Sequence, residues 1–313
     1  MDSNAIARRS APSAVAALAA AGGLLLAGCS LKTMAINSLA DAFAGFGTSW
    51  ATDDDPDLVR DATPFALKTV ETLLQQSPRN RGLLVAAASG FTEYSYAFVQ
   101  CEADYVEERN LQAAVAMRSR AVGLYLRARD YGLRGLEVGH PGFGALLRRD
   151  AGTALANVRG RDEVAMLYWT AAPWAAAISL AKENAELTAD LPATGAMMRR
   201  ALALDESFGD GAIYDFLISY EGSLPASAGG SVAHARADLE KAEALSRGTR
   251  AAPLVSFAET VSVATQNRSE FVALLRRAVA LNVDAAPQQR LANLVAQKRA
   301  RWLLGRVDEL FLQ

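Results

Sequence analysis

The residues best suited to chemistry are scarce: the 313-residue chain holds two histidines, His140 and His234, and two cysteines, Cys29 and Cys101. A zinc site needs three or four converging ligands, and no cluster of His and Cys stands at ligand spacing. His140 lies in GHPGFG, where a lone imidazole more often ties a loop to its neighbours than it binds a metal or a ligand carboxylate. Asp53, Asp54 and Asp55 stand in a row, and Asp205 and Asp210 fall within DESFGDG, but neither group has the spacing of a calcium loop. Asp55 before Pro56 reads instead as a helix N-cap followed by the first helical residue, and DESFGDG as a helix end and a tight turn. Glycine-rich phosphate loops, G-x-S-x-G and H-E-x-x-H are all missing. No catalytic residue, metal ligand or cofactor is assigned. A carboxylate pair assembled only by folding is the one enzymatic reading left.

Composition narrows the classes further. The formal net charge is −2 and 51% of the residues are apolar. That is enough for one large or two modest cores, with no basic balance to suggest a nucleic-acid partner. Apolar residues recur at three- and four-residue steps and seldom alternate, so the chain reads as all-α.

Cys29 carries the sharpest local signal. Arg8 and Arg9 open a short basic segment, APSAVAALAAAGGLLLAG supplies an apolar run, and Leu26, Ala27, Gly28 and Cys29 close it. This is a secretory signal ending in what resembles a bacterial lipobox. The motif implies a signal peptide over residues 1–28, cleavage before Cys29, and lipid on Cys29 as a membrane anchor. Ser30 rather than Asp follows, which by the same resemblance favours the outer membrane over the inner. With Cys29 lipidated, Cys101 has no partner, and a buried inert thiol is expected. Residues 29–50 read as a lipidated tether, in which Ile36, Leu39, Phe43 and Phe46 form one face of a short helix that packs on the body or lies on the membrane. Residues 51–313 read as a single helical-repeat domain.

The elements of that domain show in an internal repeat. The pattern A-x-x-x-[KR]-A-x-[AG]-L begins at Ala116, Ala196, Ala237 and Ala273, with separations of 80, 41 and 36 residues. The two shorter steps match a two-helix unit, and the longest spans about two such units. The first Ala, the second Ala and the Leu are expected along one broad buried stripe. The result is an all-α, tetratricopeptide-like helical-repeat array in which each helix pair covers its neighbour. Helices are predicted near 56–76, 82–100, 104–128, 162–182, 189–205, 211–221, 231–246, 253–265, 268–282 and 287–311. A Gly-rich excursion at about 130–160 interrupts them, folded but without clear periodicity.

One predicted helix needs separate treatment. VAMLYWTAAPWAAAISLA, from Val164 to Ala181, runs eighteen residues without a charge. Seven of the eighteen are Ala, so its hydrophobicity per residue is low for a membrane span. Trp169 and Trp174 point roughly 140° apart and sit mid-segment, unlike an interfacial aromatic belt. A helix buried between two layers fits better. Pro173 is expected to kink it, and residue chemistry alone favours core over cavity lining for the two tryptophans.

Taken in order, DDDPDLVRDATPFALKTVETLLQQSP, GLLVAAASGFTEYSYAFVQ, YGLRGLEVGHPGF, LYWTAAPWAAAISLAKENAELTADLP and ALALDESFGDGAIYDFL resemble the TatT family. These are tetratricopeptide-like lipoproteins associated with tripartite ATP-independent periplasmic (TRAP) transporters. The resemblance covers nearly the whole mature chain and weakens after about residue 245. It implies a non-catalytic periplasmic accessory that forms homo-oligomers, trimers among them, and pairs with a periplasmic solute-binding protein. It further implies an apolar pore or cleft that handles a small organic or lipophilic ligand, and it points to Tyr94, Tyr96, Tyr168, Trp169 and Trp174 as the lining. Pro173 departs from the family pattern, where a small residue is more usual. The alternative is a tetratricopeptide scaffold that binds proteins at the outer membrane without a ligand cavity.

Overall fold

A computed structural model describes residues 49–312, and the Cys29 anchor, the signal segment and the Ile36-to-Phe46 face lie outside that range. Every regular element among the described residues is helical. The first, α1 (Pro56–Gln76), starts as the sequence predicts: Asp55 Oδ1 accepts from the Asp57 and Leu58 amides, each at 3.0 Å. Next, α2 (Arg81–Ser95) continues through a π-turn at Tyr96–Gln100 and a last stretch at Cys101–Val106. It is followed by α3 (Leu111–Gly139), α4 (Phe143–Arg149), α5 (Ala151–Asn157), α6 (Val164–Leu180) and α7 (Leu191–Leu204). The remainder is α8 (Ala212–Ser223), α9 (Val232–Ser246), α10 (Ala252–Phe257, extended by a second π-turn at Ala258–Ser262), α11 (Arg268–Ala280) and α12 (Arg290–Gly305).

The four copies of the sequence pattern occupy α3, α7, α9 and α11. Each is the second helix of a pair whose first members are α2, α6, α8 and α10. The second Ala of every copy, at 121, 201, 242 and 278, is fully buried. The first is not: Ala116, Ala237 and Ala273 are exposed and Ala196 is half-buried. A five-residue step turns a helix through roughly 500°, leaving its ends about 140° apart, too far for one narrow seam. The seam instead uses residues three and four before the second Ala, fully buried at Met197 and Met198 and well covered at Leu274 and Leu275.

The 80-residue gap does not hold two full units. The stretch from Asp130 to Gly139, expected to be irregular, continues α3 without a break, and the short helices α4 and α5 fill the rest. The glycines that disguise this helix are there for packing. A Cβ on Gly132 would lie 2.1 Å from Thr170 Oγ1 and 3.0 Å from the Thr170 Cα, and one on Gly135 would strike the Met166 side chain. With no side chain at either position, α3 crosses directly over α6. Pro173 lies inside α6, which continues to Leu180.

Two apolar clusters follow the chain. One gathers residues from Leu67 to Leu217, with Ala242; the other gathers residues from Ile218 to Phe311. The ends then meet. Lys298 Nζ reaches Glu102 Oε1 at 2.5 Å, Arg299 reaches Asp104 at 2.8 Å, Arg306 reaches Glu108 at 2.5 Å, and Arg290 donates to the Thr52 carbonyl at 2.8 Å. Trp302 packs against Tyr105 with ring centroids 5.5 Å apart. The array therefore closes on itself, with α2, α6, α8, α10 and α12 as its inner layer.

Candidate functional site

The inner layer has one face packed outward on its partners and one left open. On α2, capped by Asn80 Oδ1 accepting from the Leu83 amide at 2.9 Å, the packed face carries Leu83, Leu84, Ala87, Ala88 and Phe91. The open face steps through Gly82, Val85 and Ala86, then Ser89 and Gly90, and ends at Glu93. These line a cleft of about 540 Å³ together with Ala66, Leu67 and Val70 of α1, Met166 of α6, and Trp50. A Cβ on Gly90 would lie 2.8 Å from Leu67 Cδ2, so the Leu67 side chain would have to turn aside. At the mouth, Arg81 pairs with Asp162 at 3.3 Å. Behind it, His140 Nε2 lies 2.7 Å from Glu163 Oε1, the loop-tying role expected of a lone imidazole.

Two carboxyls line the cleft: Asp162 pairs with Arg81, and the other is Glu93. Water reaches it, yet protein atoms surround it, and that desolvation raises its pKa to about 7. Other half-open inner groups are paired. Ser256 Oγ donates to Asp215 at 2.7 Å and Arg250 lies 3.4 Å from it; burial pushes the Asp215 carboxyl up while those two partners oppose the shift. Arg299 joins Glu259 to Asp104 where the array closes.

The five aromatic residues pointed to by sequence divide between the two faces. Tyr94 is 9% exposed, under the Arg120 guanidinium, and Trp174 is 2% exposed, with Arg129 over its ring at 5.2 Å. Both sit in the packed layer. Tyr96 is 40% exposed, one turn beyond Glu93. Tyr168 and Trp169 are half-buried, their rings edge to face at 4.8 Å, with Phe208 5.2 Å from Tyr168. Cys101 is free and buried, its thiol pushed up to about 12 by burial and so unreactive, as expected.

Residues 52–311 match the family model described as TRAP transporter T-component. The chain belongs to the TRAP transporter T-component family. It is also similar to an uncharacterized protein of Treponema pallidum (strain Nichols), 32% identical over 315 residues that cover 95% of this chain and 98% of the relative. The T-component assignment makes the chain part of a TRAP transport system. It gives the inner face its interest, since no helix among the described residues is long and apolar enough to cross a membrane.

Glu93 is the functional candidate that sequence reasoning missed in this T-component. The signal was available: between Arg81 and Glu102 it is the only charged residue. A single carboxyl amid nineteen uncharged positions either faces a solvated cavity or costs the fold dearly.

Proposed function

We propose that the chain is a non-catalytic periplasmic lipoprotein, anchored through Cys29 in the outer membrane, that serves a TRAP transporter by pairing with its solute-binding protein. In this reading a small organic or lipophilic ligand occupies the inner-face cleft beside Trp50, with Tyr96, Tyr168 and Trp169 as further candidates outside its lining, and the working form is a homo-oligomer, a trimer by family resemblance. The supporting observation is the cleft itself: about 540 Å³, within the usual size of small-molecule sites, and lined chiefly by small and apolar residues. The test is affinity capture from the periplasm of the native host, with the bound proteins identified by mass spectrometry. Stoichiometric recovery of a TRAP-type solute-binding protein is expected; its absence would overturn the pairing.

A scaffold without ligand is the second reading. Leu58 and Phe65, seven residues apart on α1, are 59% and 80% exposed, and such a pair suits a protein contact. A small molecule found inside the purified protein by native mass spectrometry would dismiss this reading.

A further inference from the structure

We propose that the cleft selects amphiphilic cations: its ligand carries an apolar chain along the α2 wall and a positive head group, an ammonium or quaternary ammonium, at the Glu93 carboxylate. The proposal rests on the cleft being a ligand site and adds the chemical class of the ligand.

The geometry has three parts. The open face of α2 from Gly82 to Glu93 spans eleven residue steps, about 16 Å of helix, with Gly82, Val85, Ala86, Ser89 and Gly90 presenting no charge. Along that length a chain meets small groups of α2, Ala66, Leu67 and Val70 of α1, Met166 of α6 and Trp50. The charge at the far end is negative and unbalanced. No hydrogen bond or ion pair to the Glu93 carboxyl is present among the described residues, whereas the mouth cation Arg81 is engaged by Asp162 and lies 3.7 Å from Glu163. An aromatic ring shares the cleft with Glu93. Trp50 lines the same cleft. A carboxylate and an aromatic ring in one cleft suit a soft cation.

Anionic and neutral amphiphiles fit less well. A carboxylate head would face Glu93 with like charge. An alcohol would leave the carboxylate without a counter-charge. A cation recovers part of the cost of ionising Glu93 there, and its arrival must expel the proton that the empty cleft retains. The other charged groups facing the site, Arg81 and Asp162, are already paired with each other, so the proton balance on binding belongs to Glu93.

The experiment compares decyltrimethylammonium, decanol and decanoate, each below its micelle concentration, by titration calorimetry on the wild-type protein and on Glu93→Gln. The trimethylammonium head has no proton of its own to lose. The expected result is an affinity for the cation at least about tenfold above that for decanol, with decanoate weakest. Repeating the titration near neutral pH in two buffers of different ionisation enthalpy should show release of about half a proton per cation bound. In Glu93→Gln, decanol affinity should be unchanged while the cation preference and the proton release are lost; a thermal melt confirms that the variant is folded. Decanoate or decanol binding as tightly as the cation would overturn the proposal, as would a preference that survives Glu93→Gln. If decanol binds but the cation gains nothing, only the head-group assignment falls. If none of the three binds, the ligand-cleft reading falls with it.

Discussion

Helices meet in two different ways in this molecule. Where α3 crosses α6, contact is made by removing side chains: Gly132 admits Thr170, Gly135 admits Met166, and the surroundings are apolar. Where α12 returns to α2, contact is made by long charged side chains: Lys298, Arg299 and Arg306 reach Glu102, Asp104 and Glu108, and Arg299 and Arg306 both stack on Trp302. The first interface tolerates almost no added volume and is indifferent to salt. The second tolerates volume and depends on charge. Neighbours in a repeat array can evolve tight complementary surfaces, whereas its two ends are joined by contacts nearly two hundred residues apart.

The sharpest way to break this contrast is Gly132→Val. Its Cβ would meet Thr170 backbone as well as side chain, so α3 and α6 must separate. A loss of about 3 kcal/mol is expected in urea unfolding. A loss under about 1 kcal/mol would mean that the crossing is looser than described.

Arg299→Met probes the opposite interface. Arg299 is 6% exposed and joins Asp104 to Glu259. Asp104 keeps Arg118 at 2.7 Å and Glu259 is partly exposed, so the loss should stop at about 2 kcal/mol, short of a fully orphaned buried charge. Hydrogen exchange should accelerate in 290–312 and 101–108 and leave α3 and α6 unchanged. Uniform acceleration would deny the seam any independence.

Glu93 lies in neither interface and tests the inner face between them. Its folded pKa is raised, so the unfolded chain ionises first, and stability is lost as pH climbs from about 4 to about 7. Glu93→Gln should therefore stabilise the fold at about pH 8, by about 1 kcal/mol of unfolding free energy after screening by cleft water, and leave stability unchanged at about pH 4. An equal gain at both pH values would assign the effect to something other than ionisation.

Smallest of all are the outer seam pairs. Glu102→Gln and Glu108→Gln should each cost about 0.5 kcal/mol, a cost that about 1 M salt abolishes. A salt-independent loss would make these pairs structural in the same sense as the glycine crossing.

The difference between the interfaces also explains what could be read from sequence. Local rules carried the Asp55 cap, the ends of α1, α9 and the start of α11, the all-helical class and the burial of Cys101. They failed from Asp130 to Gly139, because helix propensity penalises the glycines that the α6 crossing demands. They misplaced the repeat stripe, because a five-residue step was taken as one face. They could not divide the five aromatic candidates between faces, since facing in or out depends on where a helix sits between layers. The seam was invisible: nothing within ten residues of Glu102 or Lys298 announces a partner so distant. Glu93 was legible only as an isolated charge whose surroundings had to be seen.

The closed seam also bears on how such a chain can change over generations. An open solenoid lengthens by duplicating a unit, since each copy asks only for a neighbour. Here a duplicated helix pair would carry Arg299 away from Asp104 and Trp302 away from Tyr105. Descendants of this chain are therefore free to diversify residue by residue along the inner wall, while unit number is held fixed by the meeting of the two ends.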